Sequence, residues 1–196
     1  MRRIPATDSE APSLFRQVIQ SGGLAVYPTD TLYGLGSDAL NPTAVERLAA
    51  LKGRGGPFSV MVGSFDQLRE YALVSADITD KLLGMLPGPY TIILPARIPE
   101  DFSAGVIGSQ SRVGFRIPDH PFIQATCQQN VPPIISTSVN RSGEPPLQDP
   151  EEIARQFDKQ IDLLVDAGPL PSSRGSTIVD VNIEPWRILR QGDGRL

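Results

Sequence analysis

Short apolar runs that suit buried strands alternate along this chain with capped amphipathic segments, and that alternation narrows the possible folds more than any other feature. Residues 24–27 form an apolar run stopped by Pro28, and residues 58–62, 90–94, 113–117 and 134–137 repeat the pattern. Between them, residues 8–20 place Ala11, Leu14, Phe15, Val18 and Ile19 on one helical face and end at Gly22-Gly23. Asn41-Pro42 supplies an N-cap and a first-turn proline for a helix running through Val45, Leu48 and Leu51 toward Gly53. Ser64 and Ser75 read as caps of two further helices, residues 121–129 as a short helix, and Asp149-Pro150 as the start of a helix reaching Phe157. The later half is richer in strands, at 163–165, 177–181 and 186–189. The order predicts an α/β fold, a mixed β-sheet flanked by helices, in one domain over residues 1–196.

Several chemistries are excluded early. The chain has one cysteine, Cys127, and one histidine, His120, so it has no internal disulfide framework and no cysteine-based zinc cluster. A Ser-His-Asp enzyme would depend on His120 alone, and Asp119-His120-Pro121 reads instead as a helix-start turn. Cys127 reads as a small core residue. With 18 Lys and Arg against 22 Asp and Glu, the net charge of −4 argues against a uniformly basic surface and leaves room for a local basic cleft. The longest uncharged stretch, residues 121–140, carries three prolines and several amides and would not enter lipid. No signal-peptide core follows Met1-Arg2-Arg3, so a cytoplasmic setting is expected.

Four segments carry more polar chemistry than a purely structural domain needs. Residues 27–36, Tyr-Pro-Thr-Asp-Thr-Leu-Tyr-Gly-Leu-Gly, end a buried strand in hydroxyls, one carboxylate and two glycines, where α/β sheets usually bind ligands. Read blandly, this is a turn whose glycines supply positive φ. Lys52-Gly53-Arg54-Gly55-Gly56 puts two cations and bare backbone after a helix; either they meet an anion or they complement the helix dipole. In Ile135-Ser136-Thr137-Ser138-Val139-Asn140 an apolar strand feeds hydroxyls and an amide, suited to sugar, phosphate or carboxylate and equally to a turn. Ser172-Ser173-Arg174-Gly175-Ser176-Thr177 enters a strand, with Arg190-Gln191-Gly192 downstream and Arg116 at another strand end; each alone reads as ordinary surface.

Together and in this order, these segments resemble the YrdC/Sua5/YciO family from about Leu24 to Gly192. Pro28 to Gly36 is similar to its opening motif, Lys52-Gly53-Arg54 to its Lys-x-Arg pair and Ser138-Val139-Asn140 to its Ser-x-Asn pair. Pro87-Gly88-Pro89-Tyr90-Thr91, Arg116-Ile117-Pro118, Ser176-Thr177-Ile178-Val179-Asp180 and Leu189-Arg190-Gln191-Gly192 complete the pattern. The resemblance implies a YrdC/RibB-like twisted mixed sheet around a concave cavity, of the short YrdC type. It implies an L-threonylcarbamoyladenylate synthase: a nucleotidyltransferase that joins L-threonine, bicarbonate and ATP and releases pyrophosphate, for t6A37 modification of tRNA.

By that resemblance, Lys52 and Arg54 are the expected catalytic cations at the phosphates, and Ser138, Asn140 and Arg190 complete the ATP site. Thr29, Arg116, Ser136, Ser176 and Thr177 are expected to hold threonine. Mg2+ would arrive on ATP, with no protein metal site. Other t6A-pathway proteins and tRNA or double-stranded RNA are the implied partners, with no membrane. The alternative is a YciO-like paralogue, or an RNA-binding module of the same fold, with little synthase activity. One departure stands out: the loop after Arg54 is shorter than the family pattern, and Gly56 stands where a side chain would help close over the substrates.

Overall fold

The computed structural model describes residues 1–127 and 131–196, with Cys127 described in its backbone only. Eleven strands form among the described residues, in two hydrogen-bonded sheets. The first contains β1 (Arg2–Pro5), β2 (Ala25–Tyr27), β3 (Gly34–Gly36), β8 (Thr137–Ser138) and β9 (Leu163–Asp166), in the order β1-β9-β2-β3-β8. The second contains β4 (Val60–Met61), β5 (Tyr90–Pro95), β6 (Arg112–Arg116), β7 (Ile134–Ile135), β10 (Thr177–Asp180) and β11 (Arg187–Arg190), in the order β11-β10-β5-β6-β4-β7. Both mix parallel and antiparallel pairs, so the expected mixed α/β architecture is present, divided in two.

The division falls inside one predicted strand. The run at 134–137 is broken at Ser136: β7 closes the edge of the second sheet on β4, and β8 closes the edge of the first on β3. Ile135 N–H donates to the Ser37 carbonyl at 2.9 Å, and Ser136 N–H to the Ser59 carbonyl at 2.8 Å. Five residues therefore form the seam between the sheets, and the polar loops gather around it.

Helices cover the sheets. α1 (Ala11–Gln20) and α5 (Pro121–Cys127) pack on the first sheet through Phe15, whose ring meets Tyr27 edge-on at 5.2 Å and Phe122 at 5.4 Å. The predicted extension of α5 to Gln129 and the burial of Cys127 lie outside the described residues. His120 takes the expected structural role: its Nδ1 accepts the Phe122 N–H at 3.2 Å at the start of α5. α2 (Pro42–Lys52) starts and stops as its sequence predicts. Asn41 accepts the Ala44 N–H at 3.2 Å, and Gly53 ends the helix in the left-handed region at φ 69°. α3 (Phe65–Tyr71) and α4 (Ala76–Leu83) follow Ser64 and Ser75, and α6 (Pro150–Phe157) is capped by Asp149.

The strand β3 was not legible as a strand, because Gly-Leu-Gly has no β-forming side chains beyond Leu35. Its glycines are extended rather than in positive-φ turns. They are required by close approach: a Cβ at Gly34 would lie 2.8 Å from the Tyr27 ring, and one at Gly36 would lie 2.5 Å from the Ile135 carbonyl oxygen.

Candidate active site

Strand ends and loops from both sheets surround a cavity of about 290 Å³. Five cations line it: Lys52 from the last turn of α2, Arg54 just beyond, Arg116 at the end of β6, Arg174 before β10 and Arg190 at the end of β11. No Asp or Glu side chain is among the described residues of its wall. A chain of net charge −4 thus concentrates positive charge in one concavity. The cations disfavour one another: burial and then Arg54 push Lys52 down to about 8, and burial and then Arg116 push Arg190 below its ordinary value. A polyanion entering the cavity would relieve both.

Lys52 is almost fully buried, and its ammonium donates three hydrogen bonds of 2.7 Å, to the Ser138 carbonyl, the Asn140 carbonyl and Asn140 Oδ1. Asn140 Oδ1 also accepts from Ser138 Oγ at 2.6 Å, and its Nδ2 donates to the Glu144 carbonyl. The Lys52 carbonyl in turn accepts the Ser142 N–H. The end of α2 therefore holds the 138–144 loop from both sides. Arg54 lies with its guanidinium carbon 4.7 Å from the centre of the Phe58 ring, a cation–π contact.

Also on the wall, Arg116 forms an ion pair with Asp30 at 2.6 Å, with 8% and 10% of the two side chains exposed. Its Nη2 also donates to Thr31 Oγ1 at 3.2 Å, while Arg116 Nε and Asp30 Oδ2 are buried without a hydrogen-bond partner among the described residues. Ser176 Oγ and Thr91 Oγ1 lie 2.7 Å apart, and Arg190 donates to the Ser176 carbonyl at 2.8 Å. This wall offers a guanidinium and hydroxyls, the set that receives a carboxylate and a hydroxyl-bearing side chain.

Of the residues expected from the sequence, Lys52, Arg54, Ser136, Ser138, Asn140, Arg116, Ser176 and Arg190 are brought to the cavity wall. Thr29 and Thr177 are not. The Thr29 hydroxyl donates to the Leu32 carbonyl and accepts the Thr31 N–H, and Thr31 takes the place at the wall. The Thr177 hydroxyl donates to the Gly194 carbonyl and accepts the Gly192 N–H, tying down the C-terminal segment. Ser59, Thr91, Ser142 and Arg174 line the cavity without having been singled out as site residues. A polar residue inside each of the apolar runs 58–62 and 90–94 was the available signal for the first two.

The expectation for Gly56 is corrected. It sits at φ 105°, and a Cβ there would lie 2.2 Å from the Gly105 carbonyl oxygen. The Phe58 N–H donates to that same oxygen at 2.9 Å. A side chain at 56 would strike the neighbouring backbone instead of closing over a ligand. Gly56→Ala is expected to cost about 1–3 kcal/mol, whereas Gly55→Ala, with open space around it and no positive φ, should change stability by under about 0.5 kcal/mol. Thermal unfolding of the two variants checks this contrast.

The Sua5_yciO_yrdC family model, which carries the description "Telomere recombination", matches residues 17–192. The chain belongs to this family. Sua5 from P. abyssi, solved in complex with L-threonine, is 29% identical with a TM-score of 0.85; the match covers 97% of this chain and 56% of Sua5, so the chain spans little more than half of that relative. YciO of E. coli is 26% identical with a TM-score of 0.87, covering 98% of this chain and 94% of YciO. MTH1692 from Methanobacterium thermoautotrophicum, solved in solution, is 38% identical with a TM-score of 0.72, covering 100% and 92%. The family resemblance and the fold expected from the sequence are both shown. No helix among the described residues is long and apolar enough to cross a membrane.

Proposed function

We propose that this protein is an L-threonylcarbamoyladenylate synthase acting in t6A37 modification of tRNA. The observation that carries the reading is a small cavity with five cations, many hydroxyls and no carboxylate in its described wall. ATP brings close to four negative charges and threonine a carboxylate. Displacement at phosphorus needs positioning and charge stabilisation more than a nucleophilic side chain. P. abyssi Sua5, a relative of this chain, was solved with L-threonine bound.

The reaction balances without a protein nucleophile. Threonine's amine, having lost a proton, condenses with bicarbonate to give a carbamate and water. A carbamate oxygen then bonds to the α-phosphorus of ATP, the bond from that phosphorus to the bridging oxygen breaks, and pyrophosphate leaves. Arg116, Ser136 and Ser176 hold threonine, with Thr29 and Thr177 supporting from behind the wall. Ser138, Asn140 and Arg190 hold the nucleotide, and Lys52 and Arg54 supply charge beneath the phosphates. Mg2+ enters as part of the MgATP substrate, and the described wall of the cavity brings no carboxylate to it. The YrdC-like domain carries the reaction, working with other t6A-pathway proteins.

Incubation with ATP, L-threonine and labelled bicarbonate should release pyrophosphate and yield labelled threonylcarbamoyl-AMP, each only when all three substrates are present. Absence of both products overturns the proposal in favour of a paralogue without this activity. Salt-dependent tRNA binding with no turnover points instead to an RNA-binding module.

A further inference from the structure

Four of the five cavity cations are engaged within the protein. Lys52 spends three hydrogens on loop acceptors, Arg54 lies on Phe58, Arg116 is paired with Asp30, and Arg190 bonds Ser176. Arg174 differs. Among the described residues its guanidinium has no hydrogen-bond, ion-pair or ring partner, although it lines the same cavity and is exposed at its rim.

Its backbone, by contrast, is held firmly. Asp193 Oδ1 accepts the Arg174 N–H at 3.1 Å, Asp193 Oδ2 accepts from Ser173 Oγ at 2.5 Å, and the Asp193 N–H donates to the Gly175 carbonyl at 2.9 Å. Gly175 turns at φ 78°, and Gly192 packs so closely beneath it that a Cβ there would lie 2.1 Å from the Gly175 carbonyl oxygen. The Asp193 carboxylate therefore holds Ser173 and Arg174 while its backbone N–H holds Gly175, and the Arg174 side chain between stays open. A fixed mount carrying an unspent planar cation, at the rim of a cavity with no wall carboxylate, suits a phosphate oxygen.

We propose that Arg174 contacts the phosphates of ATP beyond the first, those that leave as pyrophosphate, and that Asp193 is the positioning residue that aims it. The inference rests on the proposed function and adds a residue to the ATP site.

The test compares binding of MgATP, AMP and magnesium pyrophosphate by calorimetry. Arg174→Ala is expected to weaken MgATP and magnesium pyrophosphate about tenfold, the loss of one charge-assisted contact, and to leave AMP within about twofold. Arg174→Lys should recover part of the loss. Asp193→Ala should reproduce the selective loss, and the double variant should add little to either single one. Equal weakening of ATP and AMP, or no change in either, overturns the assignment; so does a loss confined to tRNA binding. If wild-type protein binds magnesium pyrophosphate through Arg174 yet releases none from ATP, threonine and bicarbonate together, the proposed function falls and the phosphate contact stands. If wild type binds neither ATP nor pyrophosphate, both fall.

Discussion

Asp30→Ala should unfold the protein at markedly lower urea concentration, a loss of about 3–5 kcal/mol with an unchanged denaturant slope. Arg116 and Asp30 are each about nine-tenths buried, so removing the carboxylate leaves a buried guanidinium whose one remaining hydrogen bond among the described residues is to the Thr31 hydroxyl. The same change should weaken threonine binding, because the arginine loses the partner that aims it into the cavity. Asp30→Asn keeps the shape and one acceptor oxygen and should fall between. If Asp30→Ala unfolds at the wild-type urea concentration, the pair contributes nothing to stability.

Lys52→Met should cost about 1–3 kcal/mol, because it takes the ammonium donor away from the Ser138 and Asn140 carbonyls and leaves Asn140 Oδ1 held by the Ser138 hydroxyl. ATP affinity should fall at least about tenfold, since the 138–144 loop loses its anchor together with a positive charge. A pH experiment separates the charge from the packing. With Lys52 pushed down to about 8, the ammonium dominates below that pH and the amine above it. Wild-type ATP affinity should decline as pH rises through about 8, and Lys52→Met should lack that step. A step of the same size in the variant would assign it to another group.

Much of the fold was legible because the signals were local. The boundaries of α2 follow from Asn41, Pro42 and Gly53, and those of α6 from Asp149 and Pro150. What was missed depends on partners distant in sequence. Residues 58–62 shrink to β4 because Phe58 bonds the Gly105 carbonyl in place of a ladder partner. The strand β1 was unreadable in Arg2-Arg3-Ile4-Pro5, since an edge strand buries only Ile4 and draws its register from β9. At the cavity, cations were legible from their place after apolar runs. Which hydroxyl of Thr29 and Thr31 faces inward depends on the turn bond from Thr29 to Leu32, and no spacing rule reports that. Arg174 reads as ordinary loop until its lack of a side-chain partner among the described residues is set beside the four engaged cations of the same cavity.

The seam at residues 134–138 has a consequence for how the molecule comes apart. Its first half is edged onto one sheet and its second half onto the other, and the amides of Ile135 and Ser136 bond outward to Ser37 and Ser59. Neither layer can melt away and leave its neighbour's border whole. Denaturation is in this sense cooperative by construction, and the residues that stitch the layers together are the same ones that present Ser136 and Ser138 to the cavity.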